Sequence, residues 1–100
     1  MVYMFANIKL RPGKLQKFTE MIGTLASVLE EKGGWKLHGS YFNSIGRMNT
    51  VVDVWEMPDA NAVQSTLELA SQDPTFQKLI PVIEECIEDE TIQLMTKLPV

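Results

Sequence analysis

The sequence predicts an α+β fold of the ferredoxin-like, split βαβ kind, and three observations carry that prediction. Val2 to Leu10 alternates with the two-residue period of a strand, placing Val2, Met4, Ala6, Ile8 and Leu10 on one face and Tyr3, Phe5, Asn7 and Lys9 on the other. Leu15, Phe18, Ile22, Leu25 and Leu29 then recur at spacings of three and four, the pattern of one long amphipathic helix. Residues 39–57, GSYFNSIGRMNTVVDVWEM, read as two strands rich in β-branched and aromatic residues around a glycine-containing turn. With a helical stretch and a last alternating segment after them, these elements give a four-stranded antiparallel sheet. The helices lie on one of its faces, and right-handed crossovers put the first and third strands in the middle.

Each boundary has a local cause. Arg11-Pro12-Gly13 breaks the first strand, and Gly33-Gly34 stops the helix. Trp35 to Asn43 and Arg47 to Met57 form the second and third strands, with the turn around Ser44-Ile45-Gly46. Pro58-Asp59 closes the sheet and offers Asp59 as the N-cap of a second helix, whose inward residues are expected to include Val63, Leu67 and Ala70. Asp73 caps a third helix with Pro74 in its first turn, and Phe76, Leu79, Ile80, Ile83 and Ile87 carry the helical period to Glu88. Thr91 to Leu98 alternates again as the last strand. No linker, low-complexity stretch or repeat interrupts this order, so one domain is expected over residues 1–100.

Composition narrows the function. A chain of 100 residues, 45% hydrophobic, builds an ordinary core but exposes much of its surface when folded alone. Covering the bare sheet face with a second copy is the natural remedy, and a homodimer is expected. The net charge of -4 and the scatter of Lys and Arg argue against nucleic acid or an anionic membrane as partner. Glu84, Glu85, Glu88, Asp89 and Glu90 read as a solvated helix face, because the run lacks the glycine and ligand spacing of a calcium loop. Cys86 has no partner for an intrachain disulfide and sits on an apolar helical stripe, where a buried hydrophobe is expected. One Cys and one His make no metal array, and no glycine-rich phosphate loop is present, so neither a metal nor a cofactor is expected. The first ten residues lack the flanks of a signal peptide, and no run approaches the roughly 20 apolar residues of a membrane span. A cytoplasmic protein is the expectation.

Hairpin register decides which side chains meet. A two-residue turn at Ile45-Gly46, or a four-residue turn from Ser44 to Arg47, pairs Leu37 with Val54, Gly39 with Val52, and His38 with Asp53. That register gathers Leu37, Gly39, Val52 and Val54 on an apolar face matching Val2, Met4, Ala6 and Ile8. The opposite face carries His38, Asp53 and Trp55 with Tyr3, Asn7, Phe42 and Asn49. His38 is then the candidate general base, Asp53 its orienting carboxylate, and Tyr3, Asn7, Phe42, Asn49 and Trp55 the walls for a small apolar or aromatic metabolite. The bland alternative is an ordinary cross-strand polar pair. In the rival functional reading the aromatics are a dimer seam, and the domain is a binding or assembly module without turnover.

The segments Leu10-Arg11-Pro12-Gly13-Lys14, Gly39-Ser40-Tyr41, Ile45-Gly46, Asn49 to Trp55 and Asp73-Pro74-Thr75-Phe76 together resemble the NIPSNAP family, within the dimeric α/β-barrel superfamily. The resemblance implies that two sheets pack face to face as a homodimeric barrel, with a small-molecule cavity between sheet and helices in each subunit. Relatives in that superfamily include cofactor-independent monooxygenases of aromatic polyketide pathways, lactone isomerases and haem-degrading enzymes. If the chain is an enzyme, the resemblance implies monooxygenation or isomerisation of an aromatic or enolic metabolite, with Trp55 and a neighbouring Asn or His lining the cavity.

Overall fold

The predicted elements are all present, in the order β1 (Val2–Leu10), α1 (Leu15–Gly33), β2 (Lys36–Phe42), β3 (Thr50–Met57), α2 (Asn61–Ala70), α3 (Pro74–Cys86) and β4 (Ile87–Met95), in a computed structural model describing residues 1–100. The strands form one antiparallel sheet in the order β2-β3-β1-β4, the ferredoxin-like arrangement. The helices cover one face, α1 packing against both α2 and α3. Met4, Ala6, Ile8 and Leu10 of β1 and Val51, Trp55 and Met57 of β3 meet Phe18, Met21, Ile22, Val28 and Leu29 of α1 in the buried core. The opposite sheet face has no layer over it.

The helix ends follow the sequence signals. Gly34 adopts the left-handed conformation at φ 70°, and its N–H reaches the carbonyls of the last turn of α1. The Asp73 carboxylate accepts from the N–H groups of Thr75 (2.7 Å) and Phe76 (3.2 Å), satisfying two otherwise free donors of α3. Asp59 accepts from the Ala62 N–H at 3.0 Å. On α2 the inward face is Ala62, Thr66 and Ala70, and Leu67 is partly exposed. The reason is close approach: a Cβ built on Gly33 would overlap the Thr66 side chain, so α2 meets the end of α1 through small residues.

Two sequence expectations are corrected. Helix α3 stops at Cys86 and the chain runs directly into β4, so Glu88, Asp89 and Glu90 lie on a strand, and only Glu84 and Glu85 belong to the helix. A free edge of β1 is available from Leu10 to Tyr3, and laddering against it outweighs the helical preference of the acidic run. Leu98 falls beyond the strand and is exposed.

The second correction is the hairpin register. A longer connection, closed by the Asn43 N–H on the Thr50 carbonyl at 3.0 Å with Asn49 at φ 55°, slips the pairing by two residues, so Ser40 faces Asp53 and Phe42 faces Val51. A β-bulge then sits at His38, between the pairs Leu37↔Trp55 and Gly39↔Val54. The bulge turns Leu37 toward the helices and His38 away from them. On β1 the matching face is also reversed, because Met4 pairs with Trp55 and Ala6 with Asp53. Val52 and Val54 therefore point to the uncovered face, and Val51, Asp53 and Trp55 to the core.

Candidate functional site

A cavity of about 190 Å³ lies between the sheet and the helices. Its floor is Met4, Ala6 and Ile8 of β1 with Asp53 and Trp55 of β3; its roof is α1, with Leu67 and Phe76 from the later helices on the flank. Only two lining residues, Asp53 and Glu90, are polar, and none carries a basic group. Trp55 is 2% exposed and meets Trp35 edge to face, with ring centroids 5.7 Å apart. Trp35 is held in turn by its indole N–H on the Ala62 carbonyl, 3.2 Å away. This pair forms a rigid aromatic wall at the β3 end. Leu67, Glu90 and Ile92 are exposed and mark the rim.

Asp53 is the unusual residue. It is 2% exposed, on a core-facing strand position that packing normally reserves for Val or Ile. Ser40 Oγ donates to its Oδ1 across the hairpin. Burial raises the carboxyl above its ordinary value, while hydrogen bonding from Ser40 and, more weakly, the Trp55 N–H pulls the other way. Glu90 stands across β1, where Ile8 pairs with it on one side and Ala6 pairs with Asp53 on the other. Its backbone position is at an exposed sheet edge, but its carboxyl is crowded by protein on the cavity side. Desolvation raises it, and the Asp53 charge adds to the effect.

The sequence-predicted site divides between the two faces of the sheet. Asp53 and Trp55 line the cavity. His38 does not meet Asp53: it lies on the open face, where Nε2 is 3.0 Å from Glu56 Oε1 and the ring packs edge-on to Tyr3 at 6.1 Å. Tyr3 and His38 border a shallow groove of about 410 Å³ on that face, with Phe5, Met95, Thr96 and Lys97. Asn7 shares the open face with Val52, its β3 partner. Phe42 is at the exposed end of β2 and Asn49 in the connection before β3, both away from the cavity. The groove is larger but more open and flanked by the lysine-bearing C-terminal segment, whereas the cavity is apolar and roofed, the usual form of a small-molecule site. Glu90 was absent from the predicted set because its stretch read as helix; the alternation Glu90, Ile92, Leu94 is the signal that places it on the core side of a strand. No group of three or more His, Cys, Asp or Glu side chains comes together.

Fold and cavity together define a ferredoxin-like α+β protein with a ligand-sized interior. The chain belongs to the NIPSNAP family, whose model matches residues 3–100. A solved structure from Agrobacterium tumefaciens is similar at a TM-score of 0.86 and 20% identity, over 99% of this chain and 95% of that one. A NIPSNAP domain protein from Burkholderia xenovorans is similar at 0.83 and 19%, over 99% and 96%. A protein from Nitrosomonas europaea, provisionally named an antibiotic biosynthesis monooxygenase, shares the fold at a TM-score of 0.72 and 7% identity, over 98% and 99%. A comparison with curated proteins finds no match. No helix is long and apolar enough to cross a membrane.

Proposed function

We propose that the protein binds a small apolar or aromatic metabolite in the cavity between sheet and helices, and that it works as a homodimer joined through the uncovered sheet faces. The observation that carries the first part is the roofed apolar cavity with a buried carboxyl in its floor. An apolar void of about 150 Å³ is enough to hold benzene, so about 190 Å³ suits one substituted ring. A carboxyl kept there at the expense of desolvation is a polar anchor for such a ring. Tyr3, Phe5, Val52 and Val54, partly exposed around the middle of the open face, support the second part.

Where the site turns a ligand over, the reading is proton abstraction from an aromatic or enolic metabolite, leading to isomerisation or to monooxygenation by dioxygen, the substrate anion supplying the electrons, one oxygen atom entering the product and the other leaving as water. Asp53 is then the group that takes the proton, Ser40 the residue that orients it, and Trp55 the stacking wall. A raised carboxyl is better matched to such a proton than an ordinary one, since its basicity lies closer to neutral pH. The distant likeness to the Nitrosomonas europaea protein supports this reading at the level of fold.

Thermal unfolding with benzyl alcohol or phenol tests the binding reading. The wild type is expected to gain stability with ligand concentration, while Leu25→Trp, which fills the cavity from α1, gains none. Equal stabilisation of the two proteins would place the binding elsewhere and overturn it.

A further inference from the structure

The charge pattern of the cavity names a ligand class, an inference that rests on the cavity being the binding site. Sixteen of its 18 lining residues are hydrophobic, and the two that are not are both acids. Asp53 enters from β3 and Glu90 from β4, on the same side of the sheet, flanking the Ala6 and Ile8 stretch of β1. The other groups facing them are apolar: Phe18, Met21, Ile22 and Leu25 from α1, Val63 and Leu67 from α2, and Phe76 and Ile83 from α3. No Lys, Arg or His answers the two carboxyls, although the chain has ion pairs elsewhere, such as Lys14 and Lys17 on Glu85.

Asp53 is more than nine-tenths buried, with the Ser40 hydroxyl on Oδ1 and no basic group beside it. The Asp53 side chain also lines the cavity. A carboxyl in that position asks for a donor or a positive charge from whatever occupies the void. Glu90 adds a second acceptor at the rim, and Trp35 and Trp55 line the same cavity. An anion would meet two acids and no positive group, in surroundings that strengthen the repulsion.

We infer that the cavity takes a small primary amine with an apolar or aromatic body, its ammonium held between Asp53 and Glu90 and its body against Trp55. Acids and phosphates of the same size are excluded. A neutral alcohol fits by shape but loses the charge-assisted contact.

Isothermal titration of the full chain with benzylamine, benzyl alcohol and benzoate separates the outcomes. Benzylamine is expected to bind about tenfold or more tightly than benzyl alcohol, with benzoate weakest. Asp53→Asn is expected to erase the preference, so that benzylamine and benzyl alcohol bind alike. Glu90→Gln, at an exposed position of the edge strand β4, is expected to reduce it several-fold. Alcohol binding as tight as amine binding, or a preference untouched by both variants, would overturn the amine inference and leave the cavity reading intact. Binding of none of the three would overturn the cavity reading, and the inference with it.

Discussion

Ser40→Ala probes the buried carboxyl directly. Burial raises Asp53 above its ordinary 3.8, so the folded chain keeps that proton to higher pH than the unfolded chain. Stability from this group is therefore complete below about pH 4 and declines as pH rises through the folded value. The Ser40 hydroxyl opposes that decline, because its hydrogen bond favours the ionised form. Removing it pushes the folded value further up and makes the decline steeper. Hydrogen bonds to charged groups contribute about 1.5–3 kcal/mol, and neutral ones about 0.5–1.5. Ser40→Ala is thus expected to cost about 2 kcal/mol at pH 7.5 and about 1 kcal/mol at pH 3.5, by urea unfolding at both. In an Asp53→Asn background the cost should fall to about 1 kcal/mol and lose its pH dependence. A Ser40→Ala cost that is equal at both pH values and additive with Asp53→Asn would refute the picture of a buried, ionisable carboxyl held by Ser40.

Other substitutions follow from the packing. Gly33→Ala should destabilise by about 1–3 kcal/mol through overlap with Thr66, and in a Thr66→Gly background, itself destabilised, the further cost of Gly33→Ala should largely vanish, as urea midpoints will show. Gly34→Ala should cost about 1 kcal/mol by forcing a left-handed residue, with no recovery from Thr66→Gly. His38→Ala should leave cavity binding unchanged, since His38 lies on the other face with Glu56; a loss measured by titration calorimetry would restore the histidine to the site. Val52→Asp, on the uncovered face opposite Asn7, should shift sedimentation toward monomer without unfolding the chain.

The elements were legible in the sequence because each had a local cause: the period of β1, the stripe of α1, the glycine stop, and the Asp73-Pro74 start of α3. Register was not, because it depends on a bulge and a connection length that periodicity does not encode. Apolar matching groups Val52 and Val54 with Met4, Ala6 and Ile8, and leaves open which face the helices cover. Both faces of β3 are apolar enough to be buried, and the one the helices cover carries Asp53. Gly39, a lone glycine inside a strand, was the available hint of a bulge, and the Tyr41 ring lying over it shows why a side chain does not fit there. Of the predicted site, Trp55 and Asp53 were found together; His38 was lost to the bulge, and Glu90 was hidden by an acidic run that resembles a helix face.

The central claim, that ligand enters between sheet and helices, is tested most directly by NMR on the chain with bound benzyl alcohol. Intermolecular NOEs from the ligand ring are expected to the Trp55 indole and to Met4 and Ile8, which line the cavity. NOEs confined to Tyr3, Phe5 and His38 would put the ligand in the open-face groove and contradict the account.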